Sequence, residues 1–332
     1  MRVFKYRGGN DYILKRDLRS LLKSQIFLAP IDTLNDPFEA NVKIHEESFE
    51  FGRFLKLLPR FEYNQSIKDA ELSFINLVAD FIKNSKSFGV YSLSQSHDDE
   101  LLWTYYADSH RGFCVEYDLD KLKEYKIPTE PSIQVEYQDE IPELTSLDII
   151  HLKKNEEILQ KKLLGTKSKR WEHENEIRII TGQTGLYDYD YRSLKSIYFG
   201  YRSDEKFRRL TMRVLKGRGI SYYLMKPKDG TYKLEKHRLD DVFLNAPTYL
   251  TKLAPVGDGI PYIDDTLRPY EVLVRKAIEI VRREPYCEKV IDVYISGSKG
   301  TEKNPVFYVA YDGKDGMTRN FYISKDEIEL AS

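Results

Sequence analysis

Between residues 241 and 260 the chain sets Asn245, Pro247, Pro255, Gly257 and Gly259 in close succession. Proline cannot donate to a ladder and glycine is costly to order, so neither a helix nor a strand runs through such a stretch. It divides the 332 residues into a large N-terminal part and a small C-terminal one. A chain of this length also exceeds the usual domain of roughly 150 residues about twofold. The expected organisation is a main α+β domain over 1–240, a linker over 241–268 and a small helix-plus-β-meander module over 269–332.

Apolar residues make up 41% and charged residues 32%, a globular rather than a disordered balance. The formal net charge of −1 gives no global field for non-specific nucleic-acid binding, and only a local basic patch remains open to that role. Cys114 and Cys287 are far apart and form no CxxC pair, so neither a cysteine zinc site nor a disulfide framework is expected. The N-terminus has no apolar signal core and no run of about 18 apolar residues exists, which points to cytoplasmic residence without a membrane span. The phosphate-loop, dinucleotide-fingerprint, zincin and nucleophile-elbow patterns are absent. His173-Glu174-Asn175-Glu176 lacks a second zincin histidine, so no metal is assigned to the site.

Short apolar runs broken by Gly or Pro predict strands at 3–6, 26–29, 87–93, 113–117, 133–137, 174–180, 194–199, 220–225 and 232–236. Helical spacing predicts helices over 46–58, 66–84 and 145–164, one opening at Asp98, and a basic one over 203–216. This pattern implies a mixed, partly split β-sheet with surrounding helices. A helix over 269–283 and strands at 289–295, 305–311 and 317–323 make the C-terminal module a small α+β unit.

The densest chemistry lies in Trp171-Glu172-His173-Glu174-Asn175-Glu176-Ile177-Arg178. Read as a strand, its alternation puts Glu174, Glu176 and Arg178 on one face. Burying them without partners is costly, so the face is either a surface strand with Glu–Arg pairs or the wall of a cleft. In a cleft, one Glu would act on a sugar hydroxyl or a metal. Asn35-Asp36-Pro37-Phe38-Glu39 reads as a capping turn with Phe38 in the core, and Asn35 as a candidate ligand contact. Ser92 and Ser94 share a strand face. Leu102 and Tyr106 suit a helix core, while Trp103 is placed against a pocket. The basic run from Lys206 to Arg218 reads as a solvated face, with phosphate holding as the sharper alternative.

In this order, Lys5-Tyr6, Asn35 to Glu39, Ser92-Leu93-Ser94, Leu102-Trp103 with Tyr106-Ala107, His110 with Gly112-Phe113-Cys114, and Trp171 with Glu174, Glu176 and Arg178 resemble the bacterial domain of unknown function 2971 family over about residues 1–238. That resemblance implies a toxin or antiphage defence role. The sequence is also similar to the ADP-ribosyltransferase layout, with Tyr6, Ser92, Ser94 and Glu176 at its positions and Lys5-Tyr6 where that layout opens with a His-x-Thr or Arg signature. This second resemblance implies an NAD-using glycosyl transfer. Glu176, Glu174 and Arg178 are then the catalytic candidates. Lys5, Tyr6, Asn35, Ser92, Ser94, Trp103 and Trp171 are the NAD-contact candidates, with Arg178 or Lys5 on the pyrophosphate and Tyr6 or Trp103 stacked on a ring. The alternatives are a Mg²⁺-dependent nuclease built on Glu174, Glu176 and either Asp36 or Glu116, and a non-enzymatic nucleotide- or protein-binding module. Residues 241–332 carry 12 basic against 15 acidic side chains, so that module is expected to engage a protein partner rather than nucleic acid.

Overall fold

The computed structural model describes residues 1–44, 83, 88–124, 132–144, 160–257 and 263–330. The helix expected at 46–58, and most of those at 66–84 and 145–164, lie outside the described residues. Two compact units emerge, Met1–Asn245 and Ala246–Ser332.

The first unit is built on a ten-stranded mixed sheet: β1 (Arg2–Arg7), β2 (Gln25–Pro30), β3 (Gly89–Ser94), β4 (Phe113–Asp118), β5 (Ile133–Gln134), β6 (Glu176–Thr181), β7 (Gly185–Asp188), β8 (Leu194–Phe199), β9 (Ser221–Pro227) and β10 (Leu234–Leu239). The main path runs β7-β2-β3-β1-β4-β8-β9-β10, and β6 lies along β3 and β5. Helices α1 (Asp11–Lys23), α2 (Glu100–Tyr105) and α3 (Glu205–Val214) flank it. Each begins on a polar cap that the local sequence supplies: Asn10 accepts from the Ile13 N–H, Asp99 from Leu102 and Asp204 from Lys206 and Phe207.

Two apolar layers follow from the period-two alternation of the strands. Val3, Tyr91, Leu93, Val115, Tyr117, Ile177 and Ile179 face Leu18 and Leu21 of α1 and Met212 of α3. On the other face Phe4, Tyr6, Cys114, Tyr198 and Met225 pack with Leu102, Trp103 and Ala107.

The sheet forks at β3. One edge of β3 pairs with β6 along its full length, from Glu176↔Ser94 to Thr181↔Gly89. The opposite edge is shared. Its start pairs with β2 through Ala29↔Val90 and Pro30↔Gly89, and its end meets β1 through Phe4↔Ser94. Between these contacts β1 and β2 diverge and leave a gap beside Tyr91, Ser92 and Leu93. The expected partial split of the sheet is this fork.

A turn of unusual backbone closes the far end of β1. Asp108, Ser109 and His110 take positive φ values of 48°, 49° and 67°, a left-handed run without glycine. The turn is held by His110 N–H to Trp103 O at 3.1 Å and Gly112 N–H to Ala107 O at 2.8 Å. It brings main chain against main chain: a Cβ on Gly112 would stand 2.1 Å from Arg7 O, and one on Gly200 2.1 Å from His110 O.

The second unit is a three-stranded antiparallel meander, β11 (Cys287–Gly300), β12 (Pro305–Gly313) and β13 (Thr318–Ser324), with α4 (Glu271–Arg282) and α5 (Lys325–Leu330). Burial alternates residue by residue along β12. Val290, Val293, Phe307, Val309 and Ile323 meet Val274, Ala277 and Val281 of α4 and Ile328 of α5. Residues 254–257, inside the expected linker, are packed here: Ala254 N–H bonds Arg282 O and Gly257 N–H bonds Val290 O.

Because both neighbours of Gly112 at the β1 end are backbone, Gly112→Ala is expected to cost about 2 kcal/mol or more. Urea denaturation of the full chain checks this, and an unchanged midpoint refutes the close approach.

Candidate functional site

The fork opens into a cleft of about 290 Å³. Lys5, Tyr6 and Arg7 of β1 line one side and Ser92 to Ser94 of β3 the other, with Asp17, Asn35, Glu39, Tyr106, Lys167, Glu174 and Glu176 completing the wall. Of the ten candidates read from the sequence, seven line it: Lys5, Tyr6, Asn35, Ser92, Ser94, Glu174 and Glu176. Arg178, Trp103 and Trp171 do not.

Arg178 is 0% exposed and all five of its N–H donors are engaged. Nε donates to Glu176 Oε1 at 2.9 Å and one Nη2 hydrogen to Glu176 Oε2 at 3.1 Å. The second Nη2 hydrogen goes to Glu39 Oε1 at 2.5 Å, and Nη1 serves Glu39 Oε2 at 2.7 Å and Leu164 O at 2.8 Å. No donor is left for a pyrophosphate, so the ligand-holding role expected of Arg178 is corrected to one of positioning. Lys167, in the short strand Thr166–Ser168, stands among the same acids: its Nζ lies 2.5 Å from Glu174 Oε2, 3.4 Å from Glu176 Oε2 and 3.8 Å from Glu39 Oε1. Glu174 Oε1 accepts from the Tyr106 hydroxyl at 2.5 Å.

The strand expected from Glu174 onward begins two residues later. Glu174 ends a 3₁₀ turn (Lys169–Glu174), and Asn175 turns the chain in the left-handed region at φ 42°. Glu174 and Glu176 therefore reach the cleft from two different elements, while Glu176 and Arg178 do share a face of β6.

The charges set the titration. Burial alone would raise the Glu176 carboxyl. The Arg178 and Lys167 cations, with hydrogen bonds from Arg178 and Ser92, outweigh it and hold the pKa at about 2. Lys5 bridges the fork by donating to Ser92 O at 2.7 Å. Desolvation, helped by the charge of Arg7, lowers its pKa to about 7 against the pull of Glu176 and Glu174.

Other expectations are corrected by packing. Trp103 is 0% exposed, donates Nε1–H to His97 O at 2.8 Å and lies between Tyr6 and His110, so it is core and lines no pocket. Tyr6 borders the cleft, but its hydroxyl donates to Ser96 O and its ring is edge-on to Trp103. That leaves little ring face for stacking. Trp171 covers the Lys167 ammonium, 4.8 Å from its ring centre. Phe38, expected in the core, is 60% exposed, although Asp36 does cap the turn by accepting from the Phe38 N–H.

The divalent-metal alternative meets an internal cation, since the Lys167 ammonium stands where three carboxylates would hold an ion. Asp36 is turned into its own loop, and Glu116 is tied to Tyr198 and Arg2 on β4. Among the described residues no three His, Cys, Asp or Glu side chains form a metal-holding group. Glu39 and Lys167 were not singled out from the sequence as site residues. Glu39 sits in the quoted Asn35–Glu39 motif, while Lys167 carries no local signal.

Residues 102–179 match the model of the family described as "Protein of unknown function (DUF2971)". The match is narrower than the span expected from the sequence. It includes Tyr106, Lys167, Glu174, Glu176 and Arg178 and omits β1 and Glu39. No curated protein and no solved structure matches the chain. Among the described residues no helix is long and apolar enough to cross a membrane.

Replacing Arg178 by Met strands Glu39 and Glu176 in the interior and is expected to cost about 3 to 5 kcal/mol. Lys in its place loses the forked geometry and recovers little of this. Chemical denaturation of both variants checks the order. Glu176 also predicts acid sensitivity. Its pKa is about 2 folded and near 4.5 unfolded, so between those values the unfolded chain binds more protons. The stability it contributes above pH 4.5 drains away as pH falls toward 2. Denaturation midpoints measured against pH should show a shallower loss in Glu176→Gln.

Proposed function

We propose that the cleft binds an NAD-class dinucleotide and that the protein is an ADP-ribosyltransferase-like enzyme. The observation that carries this reading is the meeting of Tyr6, Ser92 and Glu176, from three strands, at one cleft in the fork of the sheet. The cleft is electrically two-sided. Lys5, Arg7 and Arg16 line it and suit a pyrophosphate. Glu39, Glu174 and Glu176, set against Lys167 and Arg178, leave a formal charge of −1 facing a ligand that becomes cationic.

In such a transfer the bond between ribose C1′ and the nicotinamide nitrogen breaks. The bonding pair leaves with nicotinamide, and the ribose passes through an oxocarbenium-like state that an acceptor nucleophile captures as it loses its proton. Glu174 is the carboxylate with capacity to spare, one hydrogen bond on each oxygen, and its charge stabilises that state. Glu176, fully engaged with Arg178, Lys167 and Ser92, positions the group beside it. Asp17 lines the cleft with Oδ2 buried and without a hydrogen-bond partner among the described residues, an acceptor suited to a ribose hydroxyl. Transfer of this kind suits the toxin or defence role that the family resemblance implies.

Glu174→Gln is expected to lower NAD consumption by about 10²- to 10³-fold with nearly unchanged ligand affinity, both proteins being assayed well below the melting temperature of the variant. Equal turnover in both proteins rejects Glu174. Binding without turnover in the wild type favours a nucleotide-binding module, and no binding by calorimetry removes the reading altogether. Affinity for ADP-ribose should fall as pH rises through about 7, where Lys5 loses its charge, and stay level in Lys5→Arg.

A further inference from the structure

Positive charge is concentrated in one stretch of the first unit. From Arg202 to Leu239 the chain carries 12 Lys and Arg against 4 Asp and Glu, a formal +8, while all other residues together sum to −9. Two of those four acids are already engaged: Asp204 caps α3, and Glu235 contacts His237 at 2.9 Å. The cations of the β9–β10 hairpin are not. Lys226, Lys228, Lys233, Lys236 and Arg238 are exposed, and none of the five forms an ion pair with a described carboxylate.

The hairpin sets these charges on aromatic rings at a sheet edge. Tyr198 and Tyr223 stack at 5.0 Å with 19° between their planes. Lys236 Nζ lies 5.1 Å from the Tyr223 ring centre and 5.6 Å from that of Tyr198, and the Arg238 guanidinium lies 6.0 Å from Tyr223. Tyr232, at the hairpin tip, is 97% exposed. β10 ends the main sheet path, and Lys236 and Arg238, two residues apart, project from one face about 7 Å from each other. The pairing Arg238↔Tyr223↔Tyr198↔Cys114↔Tyr6 carries that row across four strand spacings, roughly 19 Å, to the cleft wall.

We propose that the β9–β10 edge is a binding surface for a single strand of nucleic acid, its phosphates held by these five cations and a base stacked on the exposed ring of Tyr232. Uncompensated Lys and Arg beside aromatic faces are the two components such binding needs. An anionic membrane is the less suitable partner, because Tyr232 is the only exposed large hydrophobic side chain from 221 to 239 and no apolar ridge projects to insert. The surface does not depend on what occupies the cleft.

Fluorescence anisotropy of a labelled single-stranded oligonucleotide with the full chain, across a sodium chloride series, tests the proposal. Wild type is expected to bind with log Kd rising linearly with log salt. The Lys236→Gln/Arg238→Gln double variant should weaken binding about tenfold and flatten the slope by about 0.7 for each cation removed. Lys228→Gln/Lys233→Gln, at the turn and away from any core, gives the same reading if the first pair disturbs folding. Lys276→Gln on α4 should change nothing. Absence of salt-dependent binding, an equal effect of Lys276→Gln, an unchanged slope in both hairpin variants, or capture by phosphatidylserine vesicles without oligonucleotide binding would each overturn it.

Discussion

Everything around the cleft hangs on the guanidinium of Arg178. A buried cation is tolerated only when its donors are used and its charge is met, and here five donors reach two carboxylates and one carbonyl. The bonds join three separate pieces of chain: the turn that ends in Glu39, the segment before Leu164 and the strand that carries Glu176. Lys167 adds a second internal cation within reach of all three acids, and with Arg178 it holds Glu176 ionised where burial by itself favours the neutral form. The network sets carboxylate charge in the cleft wall, and because it is buried the loss of any one partner leaves an uncompensated charge.

The fork gives this charge somewhere to act. A complete sheet would have paired both edges of β3 and left no cavity. Here the upper and lower ends of one edge go to different strands, and Lys5 takes the carbonyl of Ser92 that neither satisfies. The glycine contacts at the opposite end of β1 hold that strand at its angle, since only residues without a Cβ fit between the main chains there.

How much of this was legible depended on the range of the interaction. Period-two alternation places Glu176 and Arg178 on one face, because that signal is local. Alternation alone assigns Glu174 to the same strand, whereas a single left-handed residue, Asn175, breaks the chain there and starts the strand at Glu176. Arg178 looked like a ligand group because nothing near it in sequence reveals Glu39, 139 residues away. Lys167 reads as one more surface lysine until the fold surrounds it with acids. Trp103 shows the converse: an aromatic on a short helix looks like a pocket wall and turns out to be the filling between Tyr6 and His110. Phe38, an aromatic in a turn, suggested an anchor and is exposed, because Asp36 alone closes that turn.

The placement of the two tryptophans has an optical consequence. Trp103 is sealed in the apolar layer beneath α2, whereas Trp171 lies over the ammonium of Lys167, which itself touches the acids of the cleft. An indole's emission responds to a charge held against its ring, and a shielded indole far from solvent responds little. The chain thus carries one indole shielded from the cleft and one set beside a lysine of its wall, so a change of charge in the cleft would reach the emission of Trp171 rather than that of Trp103.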